Sequence, residues 1–152
     1  MAQQTEGNAD ALYKKALAEA SKKKPSLDRA FELLNRAVEA GSNDATYALA
    51  TWYLHGQHVA PNLTKGTRLL KIAAKNLVPD ALYDLAVSYE TGKGVRRNEP
   101  RALELYTGAA LRGDKQSIYE VGRCYYHGIG TPKNRRLSKI WLDRARELGV
   151  RG

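Results

Sequence analysis

One cysteine, Cys124, is all this 152-residue chain contains, so no disulfide can form within it. None is needed at a length that buries a continuous core, and nothing points to an oxidising compartment. No stretch reaches the apolar length of a membrane span, and Met1-Ala2-Gln3-Gln4-Thr5-Glu6-Gly7 lacks the basic-then-apolar order of a leader. A soluble, cytoplasmic protein is expected. Acid is also scarce: 16 Asp and Glu face 25 Lys and Arg, for a net charge of +9. Such a balance bears on the sign of a partner rather than on the fold.

What the chain does have is a repeat of 36 residues. Ala37, Ala73, Ala109 and Ala145 fall on it, as do Tyr47, Tyr83 and Tyr119, Gly56, Gly92 and Gly128, and Leu33, Leu69, Leu105 and Trp141. A fixed period of this size marks a stack of one supersecondary unit, because a single unit cannot bury its own apolar face.

Within the unit, Leu49, Ala50 and Tyr53 stand at i, i+1 and i+4, and the trio returns as Leu85, Ala86, Tyr89 and as Val121, Gly122, Tyr125. This is one helix face written three times. Gly56, Gly92 and Gly128 then close the first helix, and Pro61, Pro100 and Pro132 discourage its continuation. A second helix follows, with Leu69, Leu70, Ala73 and Ala74 in one unit, Leu105, Tyr106, Ala109 and Ala110 in the next, and Leu137, Ile140, Trp141 and Ala145 in the last. Asp44 and Asp80 are expected as N-caps of first helices. Small residues at Ala30, Gly66, Ala102 and Ser138 allow close helix approach.

The run Ala81-Leu82-Tyr83-Asp84-Leu85-Ala86-Val87-Ser88-Tyr89, then Gly92-Lys93-Gly94-Val95, then Arg101-Ala102-Leu103-Glu104-Leu105-Tyr106 and Ala109-Ala110-Leu111-Arg112-Gly113 resembles the Sel1-like repeat. Gly128-Ile129-Gly130 and Trp141-Leu142 extend the likeness. In the second unit His58 replaces the second loop glycine and Leu77 the terminal one, while Lys15 and Glu19 are read in the slots of Leu49 and Tyr53, as in a polar capping unit. The resemblance implies an all-α, right-handed α/α solenoid of about four helix-turn-helix repeats. The expected units are about 9–43, 44–79, 80–115 and 116–152, behind a flexible tail over 1–8.

By analogy with the tetratricopeptide groove, first-helix side chains not needed for packing are the candidate partner surface. These are Tyr47, Thr51 and His55; Tyr83, Val87 and Glu90; and Tyr119, Arg123 and His127. The tyrosines read either as a ladder for peptide capture or as packing between units. Thr51, Val87 and Arg123 break the period and are better placed to choose a partner. A second candidate is a basic edge formed by the loops inside each helical pair, above all Lys93, Arg96, Arg97, Lys133, Arg135 and Arg136. It suits an acidic protein surface, or else serves only solubility.

Cys124 and His127 lie three apart, but neither a catalytic triad nor a four-ligand metal set accompanies them, so no enzyme, metal or cofactor is expected. The resemblance implies adaptor or scaffold work on another protein, and the basic edge suits a partner with an acidic surface. The alternatives are an immunity-type antagonist capping a bacterial toxin, and a binder of anionic surfaces or nucleic acid. Nucleic acid is the lesser expectation because regular polar base readers are missing. A monomer is expected ahead of a homodimer, although Trp141, Leu142 and Leu148 lie in a last helix with no following unit.

Overall fold

The computed structural model describes the backbone from Ala2 to Gly152 and side chains from Asn8 onward. The tail expected over residues 1–8 falls, apart from Asn8, on side chains outside this description. Among the described residues there are eight helices and no strand, arranged as two compact units, Met1–Asn76 and Leu77–Gly152. The all-α repeat class follows.

The first unit holds α1 (Ala2–Ala20), α2 (Leu27–Glu39), α3 (Asn43–His55) and α4 (Leu63–Lys75), each packed on the next. Its core joins Leu12 and Ala16 of α1 to Leu33, Leu34 and Ala37 of α2 and Ala45, Leu49 and Tyr53 of α3. The slots read as Lys15 and Glu19 are therefore filled by Leu12 and Ala16. Ala9, Leu12 and Ala16 form an apolar stripe of their own, and Lys15 points to solvent. Phe31 stacks on Trp52 with ring centroids 6.0 Å apart and meets the edge of Tyr53 at 6.3 Å.

The second unit holds α5 (Pro79–Thr91), α6 (Glu99–Leu111), α7 (Lys115–His127) and α8 (Arg135–Glu147). Ala81, Leu85, Ala86, Leu105, Tyr106, Ala109, Val121 and Cys124 are buried here. Helices meet closely where side chains vanish: a Cβ on Gly122 would stand 2.7 Å from the Leu142 side chain, and the Ser138 hydroxyl donates to the Gly122 carbonyl at 2.9 Å.

Helix ends are set by short polar and glycine signals. Gly56, Gly92 and Gly128 adopt φ of 66°, 75° and 73° and close α3, α5 and α7 as the spacing predicts. The second helices start on a cap the period also carries: Asn62, Asn98 and Asn134 each accept the backbone N–H three residues on. Asp44 and Asp80 are not caps. Ser42 caps α3, and α5 begins on Val78 and Pro79 without a side-chain cap, leaving both aspartates in the first turn, where they still favour the positive end of the helix dipole. Pro100 likewise lies inside the first turn of α6 and helps to start it.

Candidate functional site

The 36-residue period carries Tyr47, Tyr83 and Tyr119 to the same turn of α3, α5 and α7, and all three are half-buried. Tyr83 leans on Tyr106 with centroids 5.7 Å apart; burial, then the nearby carboxylates of Glu120 and Asp114, push its phenol up. Tyr119 has the backbone of Gly152 against its hydroxyl. The Thr51 hydroxyl donates to the carbonyl of Ala48 at 2.7 Å, inside its own helix. Val87 is half-buried, and His55 and His127 are exposed at the ends of α3 and α7, the latter with its ring edge-on to Tyr126 at 4.8 Å.

Glu90 and Arg123 are bound to each other. Arg123 Nη2 donates to Glu90 Oε1 at 2.9 Å and Oε2 at 2.8 Å, while its Nε donates to Glu120 Oε2 at 2.6 Å. Tyr106 adds its hydroxyl to Glu90 Oε2 at 2.9 Å, and Gln116 its amide to Glu120 Oε1 at 3.0 Å. Burial alone would raise the Glu90 carboxyl, but the hydrogen bonds from Arg123 and Tyr106 hold it below the usual carboxylate range. Tyr106 is driven far up, by burial first and then by Glu90. The network ties α5 and α6 to α7. Its sequence signal is modest: Glu120 and Arg123 at i, i+3, with Glu90 where the other units carry Leu54 and Tyr126.

Cys124 is fully buried, and burial above all pushes its thiol up to about 12, whereas His127 three residues on faces solvent. A protonated, enclosed thiol is a packing group. Among the described residues no three His, Cys, Asp or Glu side chains converge as metal ligands.

All six residues of the basic edge lie in the second unit and are exposed. The loop between α7 and α8 tucks against the start of α6, where a Cβ on Gly130 would stand 2.4 Å from the Glu99 carbonyl oxygen. The two basic loops therefore adjoin. Arg97 pairs with Glu99, and Arg135 lies over the Tyr126 ring, 3.8 Å from its centroid. Lys93, Arg96, Lys133 and Arg136 have no ion pair among the described residues. In the first unit Lys22 is paired with Glu19 at 2.6 Å, and His58 Nε2 sits 2.9 Å from Asp28 Oδ1.

Comparison with known proteins gives this geometry a family. The Sel1 repeat profile matches residues 79–114 and 115–150, and the profile of plant tetratrico peptide repeats matches residues 4–78. A Sel1 repeat protein from Oxalobacter formigenes is 32% identical over 80% of this chain and 92% of that one, with a TM-score of 0.75. The chain belongs to the Sel1 repeat family.

A protective antigen of uropathogenic Escherichia coli displaying an SLR fold gives a TM-score of 0.89 at 25% identity, covering 97% of this chain and 32% of that one. An immunity protein from Pseudomonas aeruginosa gives 0.62 at 26% identity over 93% of this chain and 53% of its own. This Sel1 repeat protein thus spans about a third of the antigen and about half of the immunity protein. No curated protein matches it. Among the described residues no helix is long and apolar enough to cross a membrane.

Proposed function

We propose that this Sel1 repeat protein is a non-catalytic binding module that holds a partner protein by an acidic surface, through the basic loop edge of its second unit. Sel1 repeat proteins are generally non-catalytic scaffolds, which supports this class. The observation that carries the rest is the contrast between two candidate surfaces. On the first helices, the charges of Glu90 and Arg123 are spent on each other, whereas on the edge Lys93, Arg96, Lys133 and Arg136 are exposed and unpaired. Unpaired surface cations steer an oppositely charged partner and suppress like-charged ones.

The test is capture by crosslinking from source cells, followed by affinity measurement on the captured partner. Replacing Lys93, Arg96, Lys133 and Arg136 by Ser should weaken binding at least about tenfold and reduce its salt dependence. Undiminished binding by that variant refutes the edge. A nucleic-acid partner would instead lose affinity steeply with salt, by several orders of magnitude between about 50 and 200 mM for six to ten phosphate contacts.

The likeness to an immunity protein over 93% of this chain favours a second reading, a stoichiometric antagonist that caps a toxin. Its test is one-to-one co-purification with the toxin together with rescue of cells expressing it; rescue lost in the four-serine variant would join the two readings.

A further inference from the structure

The α7–α8 repeat carries an open face that the preceding repeat shows how to read. Tyr126, Arg135, Lys139, Leu142, Asp143 and Arg146 line an open groove of about 390 Å³ on α7 and α8. Thirty-six residues earlier the same positions are Glu90, Glu99, Leu103, Tyr106, Thr107 and Ala110. There α7 packs on α6, Arg123 reaches Glu90 beside Tyr106, and Tyr106 and Ala110 are buried. An internal junction of this protein therefore seats a helix on this set of positions, and seats it by delivering a cation to a carboxylate.

On the α7–α8 face the net charge of these positions is inverted. Tyr126 stands for Glu90 and Arg135 for Glu99, while Lys139 and Arg146 replace two apolar residues. Arg135 covers the Tyr126 ring, and Asp143 is the only carboxylate in the lining, bonded to Lys139 at 2.5 Å and 3.6 Å from Arg146. Leu142 gives the lining an apolar side chain, and Tyr126, one ring face under Arg135, is 41% exposed where the corresponding glutamate is tied up. We propose that this face takes one amphipathic helix of a partner protein, seated as α7 is seated on α6, with an acidic residue in the place that Arg123 occupies inside the array. A second copy offering its first helix would bring Lys14 and Lys15 towards three cations, which disfavours head-to-tail stacking. The inference rests on the reading of the chain as a protein-binding module and shares only Arg135 with the loop edge.

The experiment uses the full chain, isotope-labelled for NMR, and two stapled 13-residue peptides of the α7 sequence, one native and one carrying Arg123→Glu. The Glu peptide should bind at least about tenfold more tightly than its Arg twin, as a swapped charge pair at a desolvated contact does. Its shifts should centre on Tyr126, Leu142 and Arg146. Lys139→Glu with Arg146→Glu should abolish that preference while keeping the helical spectrum; if this pair unfolds the chain, Lys139→Ala with Arg146→Ala serves in its place. The four-serine edge variant should bind the peptide unchanged, so failure of the edge and failure of this face are separate results. Equal affinity of the twins, shifts on another surface, no saturable binding at about millimolar peptide, or dimerisation through the same face would each overturn the proposal.

Discussion

Arg123 grips both carboxylate oxygens of Glu90, at 2.9 and 2.8 Å, across 33 residues of sequence. The pair joins α5 of one repeat to α7 of the next, and Glu120 and Tyr106 complete it. The side chains of Arg123 and Glu90 keep 26% and 21% exposure, which screens the attraction and lowers its worth below that of a fully buried pair. Arg123→Met, which keeps the stem and removes the charge, should cost about 2 kcal/mol in denaturant unfolding, because two carboxylates lose their partner. Adding Glu90→Leu, the residue type at Leu54 one repeat earlier, should restore part of that loss. A purely additive double variant would show that the pair does not couple the repeats.

The same pair sets a pH dependence. Because the folded Glu90 carboxyl lies below its unfolded value, its contribution is complete above the unfolded value, near pH 4.3, and is lost as pH falls through the folded one. The native chain should therefore lose stability faster than Arg123→Met as acid is added below about pH 5. Melting temperatures of the two proteins between neutral pH and pH 3 should converge; parallel curves would remove Glu90 from the account.

Much of this was legible in the residues. Period, helix faces and closing glycines were readable because the same steric demand recurs in each unit and selects the same residue type. The caps were harder, since serine, asparagine and aspartate all suit that place and Asp44 and Asp80 sit only two residues from the true boundary. The first helix is hard to align with the period because Ala9, Leu12 and Ala16 are small or sparse apolar residues and the period slips there. Arg123 and Glu90 read as surface choices because they break the period. Two residues that break it in neighbouring repeats can do so for each other, and no single-unit pattern displays that.

Leu77 stands where other units place Gly41, Gly113 and Gly149, and it takes their backbone, at φ of 65°. A side chain in the left-handed region costs roughly 1–2 kcal/mol. Leu77 is half exposed, so what its side chain returns is modest. Comparing Leu77→Gly with Leu77→Ala removes the side-chain contribution from both, and glycine should be the more stable by about 1 kcal/mol. In a helix interior the order is the reverse. His58, at φ of 62°, should gain less from glycine, since its ring packs on Phe31 and Trp52 and its Nε2 meets Asp28.

Gly122 tests how closely two helices must meet. Ala50 and Ala86 hold this place in α3 and α5, yet in α7 an added Cβ would lie 2.7 Å from Leu142 Cγ and 3.1 Å from its backbone nitrogen. The side chain could turn away, but the backbone could not without moving α8. Gly122→Ala should therefore destabilise by about 2 kcal/mol despite its better helix propensity. Recovery by the paired change Leu142→Ala should stay partial, because the nitrogen contact persists.

Cys124 offers a reporter for all of these. Fully enclosed, with its thiol pushed up to about 12 chiefly by burial, it should be almost unreactive towards a thiol reagent at neutral pH while the second unit is folded. Labelling then requires opening of the surrounding helices, and its rate follows the population of the open form when closing outruns the reaction. If Arg123→Met costs about 2 kcal/mol, labelling of Cys124 should accelerate about thirtyfold, in step with the loss seen in denaturant. A labelling rate unmoved by that substitution would mean that the thiol is reached by a local fluctuation that leaves the Glu90–Arg123 tie intact.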